Sequence, residues 1–221
     1  TVLELGSSYD TERFKKAYFA TVKRHESLRT VFRLSHISGE VRQMILEADD
    51  PRFKVVYKDF RNIPEGTEAL QKFISQDQYG LFNLSEGPLF RAYLLQASDD
   101  KTVLYFNVHH IISDGWSMNV LARDVMLHYQ ELVEKDKVTR EPLRVQYKDY
   151  ASWQLKRYEN QEFGAQQRYW QEKLSGVTDM PLLPGQKARG TMRSYAGATL
   201  ETYLPEETFA QMKQILTEQG G

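Results

Sequence analysis

Apolar residues recur at helical spacing from Phe14 to His25, with Ala17, Tyr18, Thr21 and Val22 between them, so the pattern predicts a helix with one buried face. Asp10 or Thr11 can cap it. Ahead of it, weak alternation over 1–5 predicts a strand, and Gly6-Ser7-Ser8 turns the chain. Segments 28–34 and 40–46 alternate as two strands joined by His36-Ile37-Ser38-Gly39, a glycine-containing hairpin connection. A further strand is expected at 53–57, then a helix over 67–76 that buries Leu70, Phe73 and Ile74. Segments 88–96 and 102–109 predict two stronger strands around the turn Ala97-Ser98-Asp99-Asp100. Ser117 suits the cap of a long helix over 118–134 carrying Val120, Leu121, Val125, Leu127 and Leu132.

Two more helices follow at 148–158 and 163–174, holding Trp153 and Trp170. Gly176, Gly185 and Gly190 with Pro181 and Pro184 mark a linker or crossing segment. A strand at 198–203 and a last helix opened by Pro205, with Phe209, Met212 and Ile215 on one side, complete the pattern. Hairpin-linked strands argue against a purely parallel doubly wound sheet. The expected class is α/β in the α+β sense, a mixed, largely antiparallel sheet with helices packed on it.

The 221 residues suffice for one sizeable core or for one core and the beginning of another. At 41% hydrophobic and 27% charged residues the chain has the balance of a soluble globular protein, and a net charge of -1 gives no electrostatic reason to expect a nucleic acid or an anionic membrane as partner. Cysteine is absent, which removes disulfides, thiolate nucleophiles and cysteine metal sites, and makes a reducing, cytoplasmic setting the expectation. Apolar stretches such as 103–106 fall far short of the roughly 20 residues that cross a bilayer. Because the chain opens at Thr1 without a methionine, it is expected to be a piece of something longer.

The chemistry concentrates in 107–117, Asn-Val-His-His-Ile-Ile-Ser-Asp-Gly-Trp-Ser, between an apolar strand and a helix. Adjacent histidines on extended backbone face opposite ways, so one can point into a cleft while the other packs. A histidine suits proton abstraction near neutral pH. No G-x-S-x-G elbow occurs, so direct attack by a substrate nucleophile on an activated acyl group is more economical than a covalent acyl-enzyme. His109, His110, Asp114 and Gly115 are thus the expected rim of an acyl-transfer site. A packed histidine beside a helix-start aspartate is an equally good account of this run taken alone. A metal site is disfavoured because the two histidines diverge and the H-E-x-x-H pattern is missing.

The run from His109 to Ser117 resembles the HHxxxDG signature of nonribosomal peptide synthetase condensation domains, whose fold is similar to chloramphenicol acetyltransferase. Residues 24–32, Arg-His-Glu-Ser-Leu-Arg-Thr-Val-Phe, resemble that family's RHExLRTxF motif, and residues 147–153, Tyr-Lys-Asp-Tyr-Ala-Ser-Trp, its YxDYAxW motif. Phe82-Asn83-Leu84, Gly87-Pro88-Leu89 and Arg91 match the segment before the catalytic strand, and Tyr169-Trp170, Leu174 and Gly176 add another. These similarities span most of the chain in the family's order. The family's first motif is missing, and a complete member is about twice this length. The resemblance therefore implies an acetyltransferase-like lobe over 1–175, with a crossing segment and the beginning of a second lobe over 176–221.

It further implies that His110 lies beside the acceptor amine, removing its proton or orienting it. His109 is expected to be structural. Asp114 is expected to be a buried ion-pair member, with Arg29 as partner and Arg24 as the alternative, because a buried carboxylate must be paired. Gly115 either lets backbone approach a thioester or serves as a turn glycine. Trp116, Tyr147 and Trp153 are possible cleft-lining residues; for Trp116 a core position is the stronger expectation, and for the other two packing on a helix. Arg24, His25, Glu26 and Arg29 are expected to support the loop without taking part in chemistry.

The activity so implied is amide-bond formation between thioesters carried by upstream and downstream peptidyl carrier proteins, beside an adenylation domain. No bound cofactor is expected, since the phosphopantetheine belongs to the carriers. A standalone acyltransferase, an epimerization domain and a non-catalytic carrier-recruiting module are the alternatives. Heterocyclization is disfavoured, because its signature carries aspartates where His109 and His110 stand.

Overall fold

The computed structural model describes residues 1–5, 9–177, 198 and 200–220. The chain resolves into two compact units, Thr1–Gln167 and Arg168–Gly221. In the first, β1 (Val2–Leu5), β6 (Thr102–Val108), β5 (Phe90–Gln96) and β4 (Val55–Asp59) lie side by side in that order. β1 and β5 both run antiparallel to β6, whereas β4 is parallel to β5. Between β4 and β5 the chain passes through α2 (Gly66–Gln78), the crossover that a parallel pair demands. The sheet is therefore mixed and mostly antiparallel, as the hairpin pattern predicts.

Alternation along the central strands explains the layers. Phe90, Ala92 and Leu94 of β5 and Leu104 and Phe106 of β6 face α1 (Thr11–Arg24) and α3 (Gly115–Lys135), where Phe14, Tyr18, Val22, Leu121 and Val125 close the core. On the other face Leu95, Val103 and Tyr105 pack with Leu70, Phe73 and Ile74 of α2. Asp10 accepts from the backbone N–H of Glu12 and Arg13 and so starts α1.

Two stretches depart from expectation in ways that shape the site. The strand expected from residue 28 begins only at Thr30, since Glu26–Arg29 winds into a 3-10 turn closed by the Thr30 hydroxyl donating to Glu26 O at 2.9 Å. From there β2 (Thr30–Leu34) pairs with β3 (Val41–Ile45) as a separate hairpin outside the main sheet. α3 starts earlier than expected, and its cap is Asp114 rather than Ser117. Asp114 has the extended backbone of a cap, and Ser117 donates to it.

After α3, α4 (Tyr147–Glu159) and α5 (Gly164–Lys173) follow. In the second unit α6 (Glu206–Glu218) starts after Pro205 as expected, but Phe209, Met212 and Ile215 are exposed on it. Ala198 and Leu200–Leu204 form no strand, contrary to expectation. Most of the anticipated crossing segment, 178–197, lies outside the described residues.

Candidate active site

β6 ends at Val108, and His109 extends its ladder by one bond, its backbone N–H donating to Leu89 O at 2.8 Å. The chain then turns: Ile112 N–H donates to His109 O at 3.1 Å, and the Ser113 hydroxyl donates to the same carbonyl at 3.3 Å. The His109 ring is part of this turn, because its Nδ1 accepts from Ile111 N–H at 3.0 Å. A neutral His109 ring therefore carries its proton on Nε2. The ring meets Phe82 nearly at a right angle, with ring centroids 5.8 Å apart.

His110 points the other way and is exposed. No hydrogen bond fixes its imidazole among the described residues. It borders two cavities. One, of about 350 Å³, is walled by Thr30, Phe32, Gln43, Ile112 and Tyr147. The other, of about 340 Å³, is walled by Thr1, Gln78, Asn107, Gly115 and Met118. Ser113 and Asp114 also border both, so the turn forms a rim between two chambers.

Asp114 is exposed, which overturns the expected buried ion pair. Its Oδ1 accepts from Ser117 N–H at 2.8 Å and from the Ser117 hydroxyl at 2.5 Å. These bonds, the hydroxyl first, hold its carboxyl below the usual carboxylate range. A helix cap satisfies this carboxylate without a cation. Arg29 instead clamps backbone, donating to Val22 O at 3.2 Å, to Leu46 O and to Lys23 O at 3.4 Å. Arg24 pairs with Asp124 of α3 at 3.2 Å and donates to Glu141 O.

The buried carboxylate near these arginines is Asp124, at 3% exposure, a residue not expected to take this part. His25 Nε2 lies 2.8 Å from it and Arg123 Nε 3.7 Å. Burial pushes its pKa up, but the His25 hydrogen bond and charge, with Arg24 and Arg123 behind them, outweigh that and leave it lowered. One turn along α3, His128 is fully buried, and its Nδ1–H donates to Thr21 Oγ at 2.8 Å while Thr21 donates to Ala17 O. A sequence signal for this cluster exists: Asp124 and His128 stand in phase with Leu121 and Val125 on an apolar stripe, where only a paired acid belongs.

Gly115 opens α3 with no left-handed backbone, and a Cβ built there meets nothing within 4 Å. Neither the turn nor the packing of this chain requires glycine at that position. Trp116 is 79% exposed, contrary to the core position expected for it. It precedes Val125 by nine residues, about half a revolution from the centre of the buried face. One edge of it closes a small apolar cavity with Leu28, Ile112 and Leu121.

Tyr147 borders the larger chamber with His110, whereas Trp153 does not. The Trp153 ring lies tilted against Tyr150, with centroids 5.6 Å apart, and under the Arg157 guanidinium at 4.9 Å. The start of α4 is tied to residues 24–26. Gln146 Nε2 donates to Arg24 O at 2.9 Å, Glu26 N–H donates to Gln146 Oε1 at 3.2 Å, and Lys148 Nζ is 2.6 Å from Glu26 Oε2.

Among the described residues no group of three His, Cys, Asp or Glu side chains is placed to hold a metal ion, and no helix is long and apolar enough to cross a membrane. The family model described as "Condensation domain" matches residues 1–221. The chain belongs to the condensation-domain family. Bacitracin synthase 3 of Bacillus licheniformis is 34% identical over 218 residues, 99% of this chain but 3% of that protein. The X-domain from teicoplanin biosynthesis superposes with a TM-score of 0.83 at 26% identity, over all of this chain and 48% of its own. The same X-domain in complex with OxyB gives 0.77 at 25%, again over 100% and 48%. This condensation-domain chain thus spans about half the length of the solved structures it matches, and its mixed sheet with packed helices is a chloramphenicol acetyltransferase-like lobe.

Proposed function

We propose that the protein containing this chain forms an amide bond between an aminoacyl or peptidyl thioester on an upstream carrier protein and the amine of an aminoacyl thioester on a downstream one. The observation that carries the reading is that His110, free of hydrogen bonds among the described residues, borders both chambers. One phosphopantetheine arm in each chamber brings the amine and the thioester together at the imidazole, a contribution of proximity. The amine nitrogen attacks the carbonyl carbon, the C–N bond forms, the C–S bond breaks, and the proton leaving nitrogen ends on the upstream thiol. His110 removes that proton or orients the amine by a hydrogen bond. Gly115, which the fold itself does not require, leaves room at the second chamber for a thioester. No cofactor is bound by the domain, since the arms belong to the carriers, and an adenylation domain loads the acceptor. The chain by itself, as one lobe, is inactive or nearly so.

A second reading has one specific observation in its favour: a relative of the same fold forms a complex with OxyB. On that reading the chain belongs to a recruiting module without chemistry. Intact-protein mass spectrometry on the full-length protein with both carriers loaded separates the two. Dipeptide on the downstream carrier, lost in His110→Ala, is the expected result; a folded protein that transfers nothing with any aminoacyl pair refutes amide formation. A transfer rate that does not change with pH assigns His110 to orientation rather than proton removal.

A further inference from the structure

We infer that Asp77 is a positioning residue for the turn that presents His110, acting through a polar hub on the α2 face of the sheet. The inference rests on the reading of His110 given above. Asp77 is the next-to-last residue of α2, and its side chain is 10% exposed. Four side chains from β5 and β6 converge on it. Tyr93 donates to Oδ1 at 3.1 Å, while Tyr105 and Asn107 donate to Oδ2 at 3.0 Å each. Arg91 Nε lies 2.8 Å from Oδ1 with its N–H off line, so that contact is one of charge. Burial pushes the Asp77 carboxyl up, but the Asn107 and Tyr105 hydrogen bonds, with Arg91 and Tyr93, outweigh it and keep the group ionised. Burial and the neighbouring carboxylate raise both phenols, which therefore stay protonated as donors.

The same side chains satisfy the end of α2. Asn107 Nδ2 donates to Asp77 O at 2.8 Å, and Arg91 Nη2 donates to Asp77 O at 2.9 Å and Gly80 O at 2.8 Å. Gly80 passes so close that a Cβ there would sit 2.9 Å from Arg91 Nη2. From the hub, two routes reach the site. Asn107 lies two residues before His109 and walls the second chamber beside His110. Arg91 lies 4.0 Å over the Phe82 ring, and Phe82 meets the His109 ring that holds the Ile111 N–H. None of the side chains that converge on Asp77 belongs to the HHxxxDG run. Asp77 touches neither chamber's reacting groups; it fixes the strand end and the ring on which the turn is built.

The test uses the full-length protein with ¹⁵N-labelled histidine, as wild type, Asp77→Asn, Arg91→Lys and Asp59→Asn. The last, at the end of β4, breaks an ion pair with Arg61 and serves as a control. Imidazole nitrogen resonances, thermal unfolding and single-turnover transfer over a range of loaded-carrier concentrations are read together. Asp77→Asn and Arg91→Lys are expected to move the His109 resonances and to lower the rate about ten- to a hundredfold, the cost of misplacing a reacting group by an ångström or less. The carrier KM is expected to stay within about twofold, since carrier binding is untouched. Asp59→Asn changes neither quantity. Unmoved His109 resonances in a folded variant, or a rate that falls only with the folded fraction, overturns the inference. If Asp77→Asn does not fold, Arg91→Lys, which keeps the charge but loses the guanidinium fork, carries the same decision. Wild-type protein that transfers nothing refutes the functional reading, and the resonance shift then decides the positioning role alone.

Discussion

Replacing Asp124 by Asn removes the acid that Arg24, His25 and Arg123 share. The Asp124 side chain is 4% exposed, and Arg24 and His25 are 17% and 15% exposed. Breaking a fully buried pair from one side costs about 3–5 kcal/mol, because the remaining charge is left in a poor solvent. Arg24 and His25 reach water at their edges and rehydrate in part, so the figure is reduced to about 2–3 kcal/mol. At about 2–4 °C per kcal/mol for a unit of this size, the expected fall in Tm is about 4–12 °C. The assay is calorimetry near neutral pH and again in acid. Because the folded-state pKa of Asp124 is lowered, its contribution is present above the unfolded carboxylate value and lost as pH falls through the folded one. The gap between wild type and Asp124→Asn is thus expected to close below about pH 4. An equal Tm at neutral pH, or a gap that persists undiminished in acid, refutes the reasoning.

Three further outcomes follow from the same geometry. Gly115→Ala is expected to leave Tm unchanged or slightly raised, since Ala is favoured in a helix by about 0.5–1 kcal/mol, while dipeptide formation falls; equal transfer by this variant counts against a substrate next to Gly115. Asp114→Ala is expected to speed amide exchange at Ser117 and the first turn of α3 without disturbing its later turns, and in wild type the same loss appears as pH falls through the lowered Asp114 pKa. Tyr18→Phe is expected to raise stability by about 1 kcal/mol, because the Tyr18 hydroxyl is buried without a partner among the described residues; a lower Tm would reveal a partner for it.

Much of the fold is legible because burial has a period. The stripe Phe14, Ala17, Tyr18, Thr21 and Val22 is the buried face of α1, and the hairpin-linked strands form the mixed sheet. What is not legible is decided by competition between groups that a one-dimensional pattern does not rank. Ser117 and Asp114 are both good caps, and the helix takes Asp114 because the turn built on His109 O ends there. The acid within the signature suggests a buried pair with Arg29, yet the cation requiring an acid is Arg24, and its acid lies on α3's buried face, at Asp124. Trp116 looks like core by composition, but its phase on α3 opposes the buried side.

The site shows the same division between what a motif states and what it does. Arg24-His25-Glu26 and the start of α4 are separated by more than a hundred residues, and Gln146 and Lys148 bond them directly. That union sets Thr30 and Tyr147 on the walls of the chamber that His110 borders. On the proposed function, the motif residues outside the histidine signature act on the chemistry through shape: they hold the chamber against the turn, and the turn is held from behind by Phe82, Arg91 and Asp77. A substitution in either support is expected to change where His110 sits before it changes what the imidazole can do. For this reason rate and ring resonance must be read together in any variant of these supports.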